Sequence, residues 1–537
     1  MKMDNCTNSK NRTDCFPWER PILLFFQKYR FAALFGFFFG ALLYSLMMSQ
    51  QLTNTFDGLW QQNYRQSGML ELTSGRWMLF FADKLVMGLH ADPIASMAAL
   101  ALYIIGFLLV LDLFGVERRL PGCLCLGLFL SSTAVSNTLS YRFTSIGYGL
   151  AYLLAVLGVY AAIKLRHPLA AMGLSGIFLG CTMACYQAYL AVFCTVALFY
   201  LIFLCQGETN LFRPLIRLGG SLMIGAVFYV ASLSFFLTLS QASLSEYNGI
   251  GGISLSSMLL GLPQNVLKTY QYFGAYFFMD KLMLNRLQPL GALNLLLALL
   301  MVLIIAIAIK AWKVKKPRAA VVLLAAAALP VAGNAYMLIL GDKLELQMTA
   351  GLAMFMPLTF VLAYSCFREK WLLQRVCALF CIALLYGNSM QVWFDQEAMY
   401  EGRNACETMA AQVIDDLKHA DLLSPERKYY FIGVPADNPY FSVSSIYDQA
   451  NAYAQMGNFW VSGNCAQMSY HGLIHKYMGF NLPISYLSFE DVAEQIAVSD
   501  MPQFPEDGYM ALLDEDTVVI KISDYKTYTG NSKYVFD

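Results

Sequence analysis

The chain has 537 residues, of which 58% are apolar and only 13% charged, with a formal net charge of zero. Soluble domains carry about a quarter charged residues, so this composition argues against a soluble enzyme and for a polytopic membrane protein. A net charge of zero offers no bulk attraction for nucleic acid.

Residues 1–30 are polar and include Lys10, Arg12, Arg20, Lys28 and Arg30. They read as a cytoplasmic tail ahead of an uncleaved first span. A span needs about 20 apolar residues. Runs of that order lie near 31–48, 94–115, 120–136, 145–163, 169–184, 188–206, 218–240, 290–309, 319–340, 350–366 and 376–394, which predicts about eleven transmembrane helices. The stretch 169–206 also reads as one kinked helix, although Tyr186-Gln187-Ala188-Tyr189 at its middle suits a tight turn.

The distribution of charge orients the predicted spans. Alternate short loops carry Arg118 and Arg119; Lys164 and Arg166; Arg213 and Arg217; Lys310, Lys313, Lys315, Lys316 and Arg318; and Arg368, Lys370 and Arg375. The short loops of opposite parity hold Arg142 and Lys343 alone. The positive-inside rule then puts the amino terminus in the cytoplasm and residues 395–537 outside.

Three long segments fall on the predicted outer side: 49–93, 241–289 and 395–537. In the first, Thr73 or Ser74 can cap a helix carrying Arg76, Trp77, Phe80, Phe81, Lys84 and Leu85, which predicts an amphipathic helix in the interface. The second has a Gly249–Gly252 region, Leu262-Pro263 and an aromatic stretch from Tyr270 to Phe278, read as a loop flanked by a second interfacial helix. The third is richer in acids. It shows strand-like runs at 429–434 and 517–522 and a helix near 398–419, which predicts an extracytoplasmic mixed α/β domain long enough for its own core.

Most of the thirteen cysteines sit in apolar runs, where they act as small hydrophobes. Cys406 and Cys465 lie in polar surroundings, and a disulfide between them stays open. His471 and His475 are spaced i, i+4, but no third ligand stands at a zinc-like spacing, so no metal site is assigned.

The first long segment carries the most telling residues: Phe56-Asp57-Gly58-Leu59-Trp60, then Ser74-Gly75-Arg76-Trp77. A carboxylate at a membrane surface can be a solvated turn residue, an ion or proton site, or a general base that takes a hydroxyl proton. Arg76 equally suits a snorkelling side chain. Trp60 and Trp77 suit interfacial anchors or sugar platforms, and Tyr186 with Gln187 suits a helix-capping turn.

With an uncleaved first span, an Asp and a Trp early in a long first loop, the following Ser-Gly-Arg-Trp, and the Tyr186-Gln187-Ala188-Tyr189 turn, the chain resembles the GtrII-type glucosyltransferases. These are polytopic enzymes of the GT-C class that use polyprenyl-phosphate-linked sugars. The resemblance covers roughly residues 30–400. The family often pairs acidic residues before its Trp, whereas Gly58 follows Asp57 here.

The resemblance implies a GT-C-like helical membrane domain over 31–394, a polyprenyl-phosphate sugar donor, a cell-surface glycan acceptor and residence in the plasma membrane. It implies Asp57 as the general base for an inverting transfer. Phosphate needs cationic donors, for which Arg76, Arg142 and Lys343 rank first, ahead of Lys281 and Arg286. Trp60, Trp77, Tyr186 and Gln187 complete the expected substrate contacts, with no cofactor; a divalent metal is the open, less favoured alternative. A lipid-linked glycan flippase and a non-catalytic scaffold are the competing classes.

Overall fold

The computed structural model describes residues 19–53, 56–60, 63–208, 210–245, 255–278, 290–340, 345–441 and 463–525. For 19–20, 56–57, 255–259, 290–293, 340 and 463–464 it describes the backbone alone.

Among the described residues, nine helices are long and apolar enough to cross a membrane. A tenth candidate is the pair Arg119–Leu130 and Thr133–Ser140, bent by 52°. The expectation of about eleven transmembrane helices is thus met in part. The run at 120–136 breaks at Ser131-Ser132, where the Ser132 hydroxyl accepts from Val135 N at 3.4 Å and starts a new helix. The run at 350–366 forms only a shorter apolar helix, Ala350–Cys366. The stretch 169–206 forms two helices, Pro168–Cys185 and Leu190–Leu204, which meet at Tyr186, a residue in extended conformation.

The first span breaks for a different reason. Helix Glu19–Leu43 gives way to Ser45–Gln50 at Tyr44. The side-chain amide of Gln396 bridges this break. Its Oε1 accepts from Met47 N at 2.9 Å and its Nε2 donates to Leu43 O at 2.9 Å. A side chain inserted into the helical ladder is a recognised cause of a kink.

The loops sort onto two faces. On one, Asp112 accepts from Lys28 at 2.9 Å, Tyr160 at 2.9 Å and Lys164 at 3.2 Å. Arg213 and Arg217 there cap carbonyls of Leu165 and Arg166 at the end of helix Ser145–Lys164, and Arg118 donates to Gln374. The cation-rich loops therefore meet at a single face. The opposite face carries the first long loop and the C-terminal region, and is called the loop face below.

The run at 376–394 and the helix near 398–419 form one helix, Trp371–His419, of 49 residues. At 1.5 Å per residue it is about 70 Å long, more than twice a bilayer core of about 30 Å. Its distal half is part of the C-terminal core. Cys406, Met409, Val413 and Leu417 pack there against Tyr429, Phe431, Val518 and Ile520. Among the described residues, two of the three strands match the sequence expectation: β1 (Lys428–Ile432) runs parallel to β3 (Thr517–Lys521). A short β2 (Met510–Leu512) adds antiparallel to the far edge of β3, in the order β1-β3-β2. Cys406 is a buried thiol rather than half of a disulfide with Cys465.

Candidate functional site

The Ser-Gly-Arg-Trp segment does not lie on the amphipathic helix expected from 73 onward. Helix Met69–Thr73 ends just before it and Leu79–Leu85 begins after it. Gly75 sits between them at φ +79°, a conformation that glycine tolerates and other residues resist. A Cβ at this position would fall 2.5 Å from the Tyr229 hydroxyl and 2.9 Å from Gln187 Nε2, so the neighbours also demand glycine. Both neighbours bind the turn. Gln187 Nε2 donates to Ser74 O at 3.0 Å, and the Tyr229 hydroxyl donates to Gly75 O at 3.1 Å.

Held this way, Arg76 places its guanidinium 4.8 Å from the ring centroid of Tyr186. Tyr186 meets Tyr148 edge-on at 4.9 Å. Trp77 turns the other way. It is buried beside Ala184 and Leu233, with its ring 4.9 Å from Phe236. The two short motifs picked from the sequence, Ser-Gly-Arg-Trp and Tyr-Gln, thus form one unit in space.

A second group surrounds Arg142, which is only 2% exposed. Its guanidinium donates to Gln51 Oε1 at 3.0 Å and to the Tyr477 hydroxyl at 3.3 Å, while Nε has no hydrogen-bond partner. Tyr477 in turn donates to Gln51 O at 2.9 Å. Asp92 accepts from the Ser96 hydroxyl at 2.6 Å, and its other carboxylate oxygen is buried without a partner. Burial raises its pKa, against the pull of the Ser96 hydrogen bond and the Arg142 charge. Lys476 donates to Gly58 O at 3.3 Å. Burial, and then the nearby Arg142 charge, push its pKa down to about 7.

These contacts bring the C-terminal region onto the first loop. The π-helical turn Gly472–Tyr477 packs directly on helix Phe56–Trp60, so closely that a Cβ on Gly472 would lie 2.5 Å from the Leu59 carbonyl carbon. Trp60 meets His471 edge-on at 5.2 Å, and His471 stacks on His475 at 5.3 Å. Between the two elements lies a cleft of about 610 Å³ lined by Trp60, Asn63, Tyr64, Arg65, His471, Gly472, His475 and Lys476.

Asp57 lies on the helix that forms one wall of this cleft, and its side chain is outside the described residues. Lys343, Lys281 and Arg286 are outside them altogether. The remaining nominated residues fall into two groups on the loop face: Arg76, Trp77, Tyr186 and Gln187 in one, Trp60 and Arg142 in the other. Sequence reasoning did not nominate Gln51, Asp92, Lys476 or Tyr477. Asp92 carried a usable signal, as an acid just before an apolar run. Lys476 and Tyr477 carried none, because their place depends on how the C-terminal region docks. Among the described residues, no group of three or more His, Cys, Asp or Glu is placed to hold a metal ion.

No curated protein and no solved structure matches the chain. A family model does: that of glucosyl transferase GtrII, over residues 53–386, well over half the chain. The match starts in the loop that carries Asp57 and spans both groups of nominated side chains except the docked C-terminal turn, and it shows that the chain belongs to the GtrII glucosyl transferase family.

Proposed function

We propose that the protein transfers a hexose, glucose by family precedent, from a polyprenyl phosphate to a cell-surface glycan at the outer face of the plasma membrane. The amino terminus is cytoplasmic, residues 31–394 form the GT-C-like catalytic part, and 395–537 form an extracytoplasmic domain that helps hold the acceptor. The alternation of cationic loops supports this orientation.

Asp57 acts as general base on the acceptor hydroxyl. The freed oxygen attacks the anomeric carbon from the side opposite the phosphate, the sugar–phosphate bond breaks, and the anomeric configuration inverts. Polyprenyl phosphate leaves with the bonding electron pair, and Arg76, Arg142 and Lys343 are the proposed contacts for its charge. Tyr186, Gln187, Trp60 and Trp77 position the sugars directly or through the loop.

The observation that carries this reading is the position of the Asp57 helix. It is packed between the C-terminal turn Gly472–Tyr477 and the Arg142–Thr144 turn, and it forms one wall of the cleft. Buried Arg142 lies close enough to Lys476, on the Gly472–Tyr477 turn, to lower its pKa. The helix that carries Asp57, the buried Arg142 guanidinium and the cleft thus adjoin one another, which supports the reading. The test is purified protein with polyprenyl-phosphate-[14C]glucose and a cell-surface glycan preparation. Label should become covalently attached to glycan, with or without EDTA. Movement of intact lipid-linked sugar across the bilayer, with no transfer, would make it a flippase instead.

A further inference from the structure

We propose that the cleft between helix Phe56–Trp60 and the Gly472–Tyr477 turn seats an acidic saccharide: an acceptor sugar bearing a carboxylate or phosphate, packed against Trp60 and contacted by His471, His475 and Lys476. This rests on the glycosyltransferase reading for the role of the occupant. The cleft and the charge of its described lining are independent of that reading.

At about 610 Å³ the cleft falls inside the size range of small-molecule sites, about 300–1,000 Å³. Trp60 and Tyr64 offer aromatic surfaces for the C–H faces of a sugar ring, each with a polar end for its hydroxyls. Four of the lining residues, Arg65, His471, His475 and Lys476, can carry positive charge, and none of the described lining residues can carry negative charge.

The surrounding charges decide which of these respond to an anion. Glu71, on helix Met69–Thr73, pairs with Arg65 and neutralises it. Arg142 lies close enough to Lys476 to lower its pKa, and close enough to Asp92 to oppose the rise in that carboxyl's pKa. Arg403, paired with Glu407, packs over the Tyr477 ring at 5.5 Å. That leaves the stacked histidines and Lys476 as the groups facing the cavity.

Two of these, His471 and Lys476, are partly buried beside like charge. Burial and then His475 hold the His471 pKa low, and burial and then Arg142 do the same for Lys476. A neutral sugar leaves that repulsion in place. A carboxylate or phosphate among them relieves it and raises their proton affinity, so binding takes up protons and strengthens as pH falls.

The experiment is calorimetric titration of the full-length protein in detergent with trigalacturonate, maltotriose and inorganic phosphate. Measurements at about pH 6 and pH 8 bracket the histidine range, and two buffers of different ionisation enthalpy report proton uptake. Trigalacturonate should bind about ten-fold more tightly than maltotriose, the worth of one charge-assisted hydrogen bond. Its affinity should rise toward pH 6 with proton uptake. The double variant His471→Gln with Lys476→Gln should lose the acid preference while still binding the lipid donor. Equal affinity for the acidic and neutral sugars, or no binding of either at roughly 10 mM, overturns the proposal. So does inorganic phosphate binding as well as trigalacturonate, which would mark a plain anion site. Donor transfer measured in the same preparation separates the two readings. Transfer with an indiscriminate cleft sinks this inference alone, and selective binding without transfer sinks the enzymatic reading alone.

Discussion

Gln187 donates from its side-chain amide to the carbonyl of Ser74, 113 residues earlier, at 3.0 Å. That bond ties the turn between two spans to the loop that presents Arg76. The Tyr229 hydroxyl reinforces it through Gly75 O at 3.1 Å.

Gly75→Ala should therefore be more harmful than a loop substitution normally is. The positive φ alone costs about 1 kcal/mol, and the new methyl would collide with the Tyr229 hydroxyl at 2.5 Å. The expected outcome is a melting temperature lowered by several degrees in detergent and sugar transfer reduced at least about ten-fold. Gln187→Leu should lose transfer with a smaller thermal shift. Wild-type values in both variants would show that the turn does not position the site.

Arg76 stacks on Tyr186, and a lysine can keep the charge without the planar stack. Arg76→Lys is expected to raise the KM for the lipid donor several-fold, and Arg76→Ala by about ten- to one-hundred-fold, with stability nearly unchanged in both. An Arg76→Ala protein with an unaltered donor KM would mean that Arg76 serves only to anchor the loop.

Arg142 is buried, and its guanidinium spans Gln51 and Tyr477. Lysine cannot bridge both, so Arg142→Lys should lower transfer about ten-fold and Arg142→Gln at least about one-hundred-fold. Direct donor-binding measurements check the cause. A loss of melting temperature with donor affinity intact would assign Arg142 to docking the C-terminal region rather than to phosphate.

Lys476 makes stability depend on pH. Its folded-state pKa of about 7 lies below the ordinary lysine value of 10.5. Between those two values the unfolded chain binds more protons than the folded one, so stability from this group rises with pH across that window and is level below about 7. Thermal unfolding of the wild type between about pH 7 and pH 9 should show an upward trend that Lys476→Met removes. An identical slope in the variant would refute the assignment.

The spans were legible in the sequence because hydrocarbon demands long apolar runs. So were β1 and β3, whose Tyr429–Ile432 and Val518–Lys521 are buried on both faces. The break at Ser131-Ser132 was hidden, since serine is tolerated within an apolar run. The break after Leu43 was hidden more deeply, because the side chain that bridges it is Gln396, more than 350 positions later. At the site, the nominated Arg76 and Gln187 turned out to share one hydrogen-bonded unit that spacing could not reveal. Asp92 was overlooked because Asp-Pro before a span reads as a turn. The docking of Gly472 onto Leu59 depends on a close backbone approach that leaves no periodic trace in sequence.

Whether Asp57 on helix Phe56–Trp60 serves as the base is tested most directly by comparing donor binding with sugar transfer in purified wild-type and Asp57→Asn proteins, which differ by little in shape. Donor affinity should stay within about two-fold of wild type while transfer falls by roughly 10²–10⁴-fold, the contribution of a positioned general base. Transfer by Asp57→Asn at the wild-type rate would contradict that role.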